Sequence, residues 1–98
     1  MLILRTDICD PVPNPADGNT PLSVCVAVPG PSTVAWSVYT PAFRMIVQGS
    51  AAVTDRMAVT WDLRDKTGTP AANGLYYIRV QVAGPSPLVK VLKVLVIR

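Results

Sequence analysis

The stretch WDLRDKTGTPAANGLYYIRV, residues 61–80, sets two aspartates, two glycines and a proline between a tryptophan and a tyrosine pair. Two readings compete for it. Asp62 and Asp65, followed by Gly68, have the look of a calcium loop, yet the same residue types make a tight bend between two strands. A calcium loop takes oxygen ligands from alternating positions and closes on a bidentate glutamate. The spacing here does not supply that alternation, and the chain has no glutamate. A bend, by contrast, uses short carboxylates to accept bonds from nearby backbone amides. Its glycines supply dihedral angles that other residues avoid. Trp61 is then the inward end of one strand, its large ring anchoring the loop, and Tyr76 opens the next strand with its hydroxyl free to reach a backbone partner. The expectation is a structural corner made by Trp61, Asp62, Asp65, Gly68, Gly74 and Tyr76, with calcium binding by residues 62–74 left open as the alternative.

Outward from this corner, strand-like segments recur at short intervals, each closed by Pro, Gly, Asn or Asp. Residues 2–8 form the first, followed by DPVPNPADGNTP, which can be neither helix nor central strand. Leu22, Val24, Val26 and Val28 alternate with small or polar residues, as do Val34, Trp36 and Val38. A further segment spans residues 43–47, small polar residues fill 49–56, and Met57, Val59 and Trp61 mark the next inward face. Tyr76, Ile78, Val80 and Val82 alternate with Tyr77, Arg79, Gln81 and Ala83, and GPSP leads into a last strand over 88–97. There is no helical period and no internal repeat. Seven short alternating strands in a chain of 98 residues predict an all-β, immunoglobulin-like (fibronectin-III-like) antiparallel β-sandwich with Trp36 and Trp61 in its core. In the last strand Lys90 and Lys93 are three apart and cannot share a face of a regular strand, so a bulge or a change of neighbour is expected there. The lysines also guard an edge against unwanted pairing, whereas Val94, Leu95, Val96 and Ile97 form an uncharged far half, a candidate edge for a partner.

Composition agrees with strands. Half the residues are hydrophobic, mostly Val, Ala, Leu and Ile, with ten prolines. A helical protein would rarely go without glutamate, a good helix former, while using so much Val and Pro. The length suits a single domain, residues 1–98, whether alone or as the C-terminal module of a longer protein. The net charge of +3 is spread over single Lys and Arg residues, without the basic, aromatic-interleaved stripe that nucleic-acid binding favours. No apolar stretch approaches the ~20 residues of a membrane helix, and the apolar run at the start is too short for a signal peptide. If the protein is exported, its signal was removed or lies upstream.

The chain contains no histidine, which excludes Ser-His-Asp, Cys-His and His-metal arrangements. Its acids are six aspartates, nearly all in turn contexts. Cys9 and Cys25 sit symmetrically about Asp17, in a turn-forming NPADGN, so a hairpin-like excursion would bring the sulfurs face to face. Two thiols without histidine make a poor zinc site; a disulfide and a pair of free thiols both remain compatible with the sequence. No catalytic site, metal site or cofactor site is expected.

The corner motif also carries a resemblance. PNP at 13–15, WDLRDKTGTPAANGLYYIRV at 61–80 and the closing KVLVIR resemble the immunoglobulin-like domain of the flagellar hook-capping protein, a module also found as a C-terminal accessory domain of secreted bacterial proteins. They are similar as well to the sorting domain read by the type IX secretion machinery. Trp61, Asp62, Asp65, Gly68, Gly74 and Tyr76 match that pattern; Leu63 stands where glycine is usual, and YTPAFRMIVQG is a loose version of the family's central turn. The resemblance implies a non-catalytic, extracytoplasmic module, secreted or at the cell surface, serving as spacer, anchor, sorting or assembly element. Its partner would be protein, either an adjacent domain of the parent chain or copies of itself, bound through a sheet edge or loop end. Neither nucleic acid nor membrane insertion is expected. The alternatives are a self-assembling subunit of an extracellular filament or surface layer, suggested by the hydrophobic content and low charge, and a small enzyme or carbohydrate-binding module using Asp pairs or exposed Tyr39 and Tyr77.

Overall fold

The computed structural model describes residues 5–18 and 20–97. Seven strands are present among them: β1 (Asp7–Ile8), β2 (Leu22–Ala27), β3 (Ser32–Tyr39), β4 (Met45–Val53), β5 (Arg56–Trp61), β6 (Gly74–Ala83) and β7 (Leu88–Val96). They form two antiparallel sheets, ordered β1-β2-β5 and β4-β3-β6-β7. The fold is the expected seven-stranded, immunoglobulin-like β-sandwich, in the fibronectin-III-like variant that places β4 beside β3 rather than beside β5. Period-2 alternation builds the core: Val24 and Val26 from β2, Val34 and Val38 from β3, Ile78, Val80 and Val82 from β6, and Val94 and Val96 from β7 are all fully buried between the sheets.

Several expectations are corrected. The first strand is shorter than expected, Asp7–Ile8, and residues 2–4 of that expected strand lie outside the described residues. The segment at 43–47 is not a strand from its start: Phe43 belongs to a turn, and β4 then runs on to Val53 through the small residues read as a connection. Their smallness has a packing cause. The indole of Trp36 lies across Gly49, where a Cβ would come within 2.6 Å of the ring. Trp36 itself is half-buried rather than central, because the sheet facing it has one strand fewer and the ring rests on its in-sheet neighbour.

The last strand also departs from expectation. β7 keeps an unbroken register with β6 from Gly74↔Val96 to Val82↔Leu88, with neither bulge nor change of neighbour. Lys90 simply faces inward at the strand's less buried end, where its Nζ donates to the Ile8 carbonyl at 2.9 Å; Lys93 faces outward. A long aliphatic stem with a hydrogen-bonded head makes this position tolerable.

Candidate functional site

The chain leaves the three-stranded sheet at Trp61 and enters the four-stranded sheet at Gly74, so the corner segment bridges the two layers. Backbone bonds from Ala71 N to the Leu63 carbonyl (2.8 Å) and from Asp65 N to the Thr69 carbonyl (2.9 Å) fold residues 63–71 into a small hairpin of its own. Trp61 is buried, donates its indole N–H to the Arg64 carbonyl at 2.8 Å, and meets Tyr76 edge-on with ring centroids 5.5 Å apart. The Tyr76 hydroxyl donates to the Ala72 carbonyl at 2.7 Å. These two rings clamp the hairpin from both strands.

Each aspartate turns its Oδ1 to the loop. Asp62 Oδ1 accepts from Arg64 N at 3.1 Å. Asp65 Oδ1 accepts from the Thr67 amide (2.9 Å), the Thr67 hydroxyl (2.6 Å) and the Thr69 amide (3.0 Å). The Thr67 hydroxyl bond, followed by the Thr69, Thr67 and Gly68 amides, holds the Asp65 carboxyl below its ordinary value of 3.8 against a smaller desolvation effect. A carboxylate oxygen already saturated by three donors is a poor cation ligand, and among the described residues no three Asp, Glu, His or Cys side chains converge on one point. Gly68, at φ 88°, and Gly74, at φ 151°, take dihedrals costly for other residues. Leu63 is the exception. It has φ 63°, so the position calls for glycine, yet a leucine stands there and its side chain is fully buried. Burial of the leucine, about 1.5–3 kcal/mol, offsets a left-handed penalty of about 1–2 kcal/mol.

Cys9 and Cys25 form a disulfide between paired positions of the β1 and β2 segments, with Cα atoms 5.2 Å apart and Cys9 N donating to the Cys25 carbonyl. Among the described residues no buried side-chain nitrogen or oxygen lacks a partner.

At the candidate edge of Val94, Leu95, Val96 and Ile97, only the side chains of Leu95 and Ile97 are exposed. Val94 and Val96 point into the core, and the backbone edge beside them is occupied by the chain itself. Asn14, between two prolines, acts as a surrogate peptide: its Nδ2 donates to the Lys93 carbonyl and its Oδ1 accepts from Leu95 N, each at 3.1 Å. Ala16 continues the pairing as a parallel bridge, donating to the Leu95 carbonyl (2.7 Å) and accepting from Ile97 N (2.8 Å). Nothing in the spacing of PNP signalled a contact some 80 residues away in the chain.

Tyr39 and Tyr77, expected from the sequence as an exposed pair, come together on the outer face of the four-stranded sheet with residues that the sequence did not point to. Tyr39, Phe43, Tyr77, Arg79 and Val91 line a shallow depression of about 170 Å³. Tyr39 and Tyr77 are half-buried rather than exposed, and the exposed Phe43 stacks on Tyr77 at 5.8 Å. Phe43 has φ 61° and closes a turn by donating to the Thr40 carbonyl. The available signal was Pro41, which favours the second position of a turn and so puts a left-handed residue two places later.

No protein-family model and no curated protein matches the chain. Solved structures do. The crystal structure of dimeric latent PorU from Porphyromonas gingivalis superposes on 97% of the chain with a TM-score of 0.75 at 19% identity. PorZ of the same organism, an essential bacterial surface component of the type-IX secretion system, matches 95% of the chain with a TM-score of 0.60 at 26% identity. The chain spans only 10% and 11% of those two proteins, so it corresponds to one small part of each.

Proposed function

We propose that the chain is a non-catalytic, extracytoplasmic β-sandwich domain that acts as a sorting or anchoring element for a larger bacterial surface protein. The observation that carries this is the match of nearly the whole chain to about a tenth of PorZ, a surface component of a secretion system, at 26% identity. The corner supports it: Asp62 Oδ1, Asp65 Oδ1, the Trp61 indole N–H and the Tyr76 hydroxyl are engaged within the loop that leads from one sheet to the other. The recognisable surface is therefore the shape of the sandwich and its edges, and the partner is a protein. Residues 1–98 form a single domain in this reading, one module of a longer polypeptide.

The test is a fusion of residues 1–98 to the C-terminus of a periplasmic reporter in a bacterium with a type-IX secretion system. The reporter reaches the surface or medium in the parent strain and stays inside in a strain lacking the system. Retention equal to that of the unfused reporter overturns the proposal.

A further inference from the structure

The sandwich is closed along one side and open along the other. On the β1/β7 side, Thr6 bonds to Ser86 through both its amide and its hydroxyl, Lys90 reaches Ile8, and Asn14 and Ala16 pair with β7. The opposite side carries β4, an edge strand of nine residues whose sole strand partner among the described residues is β3.

Which β4 groups are open follows from antiparallel alternation. Leu95 and Ile97 send their amides away from β6, so the even residues of β7 bond to β6. Carried through the pairs Val94↔Tyr76, Tyr77↔Tyr39 and Val38↔Val47, the alternation points the amides and carbonyls of Gln48, Ser50 and Ala52 outward. The Ile46 carbonyl fits the same parity, since it accepts from Lys66 N at 3.0 Å, outside the sheet. Edges are ordinarily guarded by charge, proline or a bulge. From Met45 to Val53 β4 has no charge and no proline, and its one irregularity, opposite Val38/Tyr39, lies before the open window.

We propose that this window is the interface for a second copy of the chain, the two β4 strands pairing antiparallel about a two-fold axis at Ser50. The window is symmetric about that residue: Ile46, blocked by Lys66, closes one end, and the chain turns into β5 after Val53 at the other. A two-fold therefore sets Gln48 opposite Ala52 and Ser50 opposite its own copy, completing six backbone hydrogen bonds and one continuous eight-stranded sheet. Side chains meeting across the seam are small or uncharged on both faces: Gln48, Ser50 and Ala52 outside, Gly49 and Ala51 inside. An edge-to-edge contact this narrow falls in the weak, transient class, under ~1,200 Å² of total buried surface. This inference does not depend on the sorting role.

Sedimentation velocity on the 98-residue chain, run from ~10 µM to ~1 mM to suit an interface of that class, reads it directly. The sedimentation coefficient rises toward that of a dimer at the upper end. Ser50→Pro removes only an outward amide and leaves the β3 pairs of Gly49 and Ala51 intact, so it melts like the parent but stays monomeric throughout. If Ser50→Pro does not fold, Ser50→Lys, which guards the edge by charge, gives the same outcome. A parent that is monomeric at every concentration overturns the proposal. So does a folded Ser50 variant that still dimerises, or a dimer lost in Leu95→Thr/Ile97→Thr instead.

Discussion

Leu63 shows how one side chain can reverse an ordinary rule. At most buried positions glycine is worse than alanine, because it adds unfolded-chain entropy to the same lost burial. At φ 63° the alanine keeps the left-handed strain while losing the leucine's packing, and the glycine loses packing but relieves the strain. Both Leu63→Ala and Leu63→Gly should fall below the parent by roughly 2–5 kcal/mol, with the glycine variant the more stable by about 1 kcal/mol. Urea unfolding of the pair decides it: an alanine variant above the glycine variant would mean the position is not strained. Asp65 makes a second test. Its folded carboxyl is held below 3.8 by the Thr67 hydroxyl and three loop amides, so its contribution is fully present above 3.8 and is lost as the pH falls through the lowered folded value. The melting temperature of Asp65→Asn should lie below the parent's at neutral pH, and the gap should close as the pH drops below 3.8. Added Ca²⁺ should move neither. A constant gap across that range would show that the charge is not what the loop uses.

At the scale of elements, β7 is the strand on which pattern and neighbourhood came apart. Its two-residue alternation is unbroken in the structure, and Val94 and Val96 are at zero exposure where Leu95 and Ile97 are outside at 38% and 50%. Replacing Val94 and Val96 together with Thr should cost about 1–3 kcal/mol per site, since each puts a hydroxyl into the core. Leu95→Thr/Ile97→Thr should change stability by less than ~1 kcal/mol in total. Thermal melts of the two double variants separate the faces; equal losses would mean the outer pair is covered too. The spacing of Lys90 and Lys93 misled because it was read as a break in the strand. An inward lysine can be kept when its ammonium finds a carbonyl at the rim, here that of Ile8, and that carbonyl belongs to another sheet.

For the whole molecule, the asymmetry between the stitched side and the open side matters most. The disulfide closes a loop of 16 residues' separation, and that loop carries Asn14 and Ala16 to the β7 edge. Cross-linking a loop of about this length contributes roughly 3 kcal/mol, mainly by restricting the unfolded chain. Dithiothreitol, or the double change Cys9→Ser/Cys25→Ser, should lower the unfolding free energy by about that amount while the circular dichroism at room temperature keeps its strand signature. Parent-like stability after complete reduction would show that the bond constrains little.

The strands, their inward faces and the Trp61–Tyr76 corner were written locally. Alternation is a property of neighbours two apart, and a turn's carboxylates and glycines act within four residues, as Asp65 does on Thr67 and Thr69. What lay beyond the sequence was every decision involving distant partners. Which sheet β4 joins, why Gly49 must be bare beneath Trp36, where Lys90 ends, and which edge stays open after Asn14 fills the other all depend on atoms brought together from separate parts of the chain. Local periodicity sets which face of a strand is apolar; only packing decides what lies beside it, because strand pairing is chosen by the fit of whole sheets rather than by any single segment.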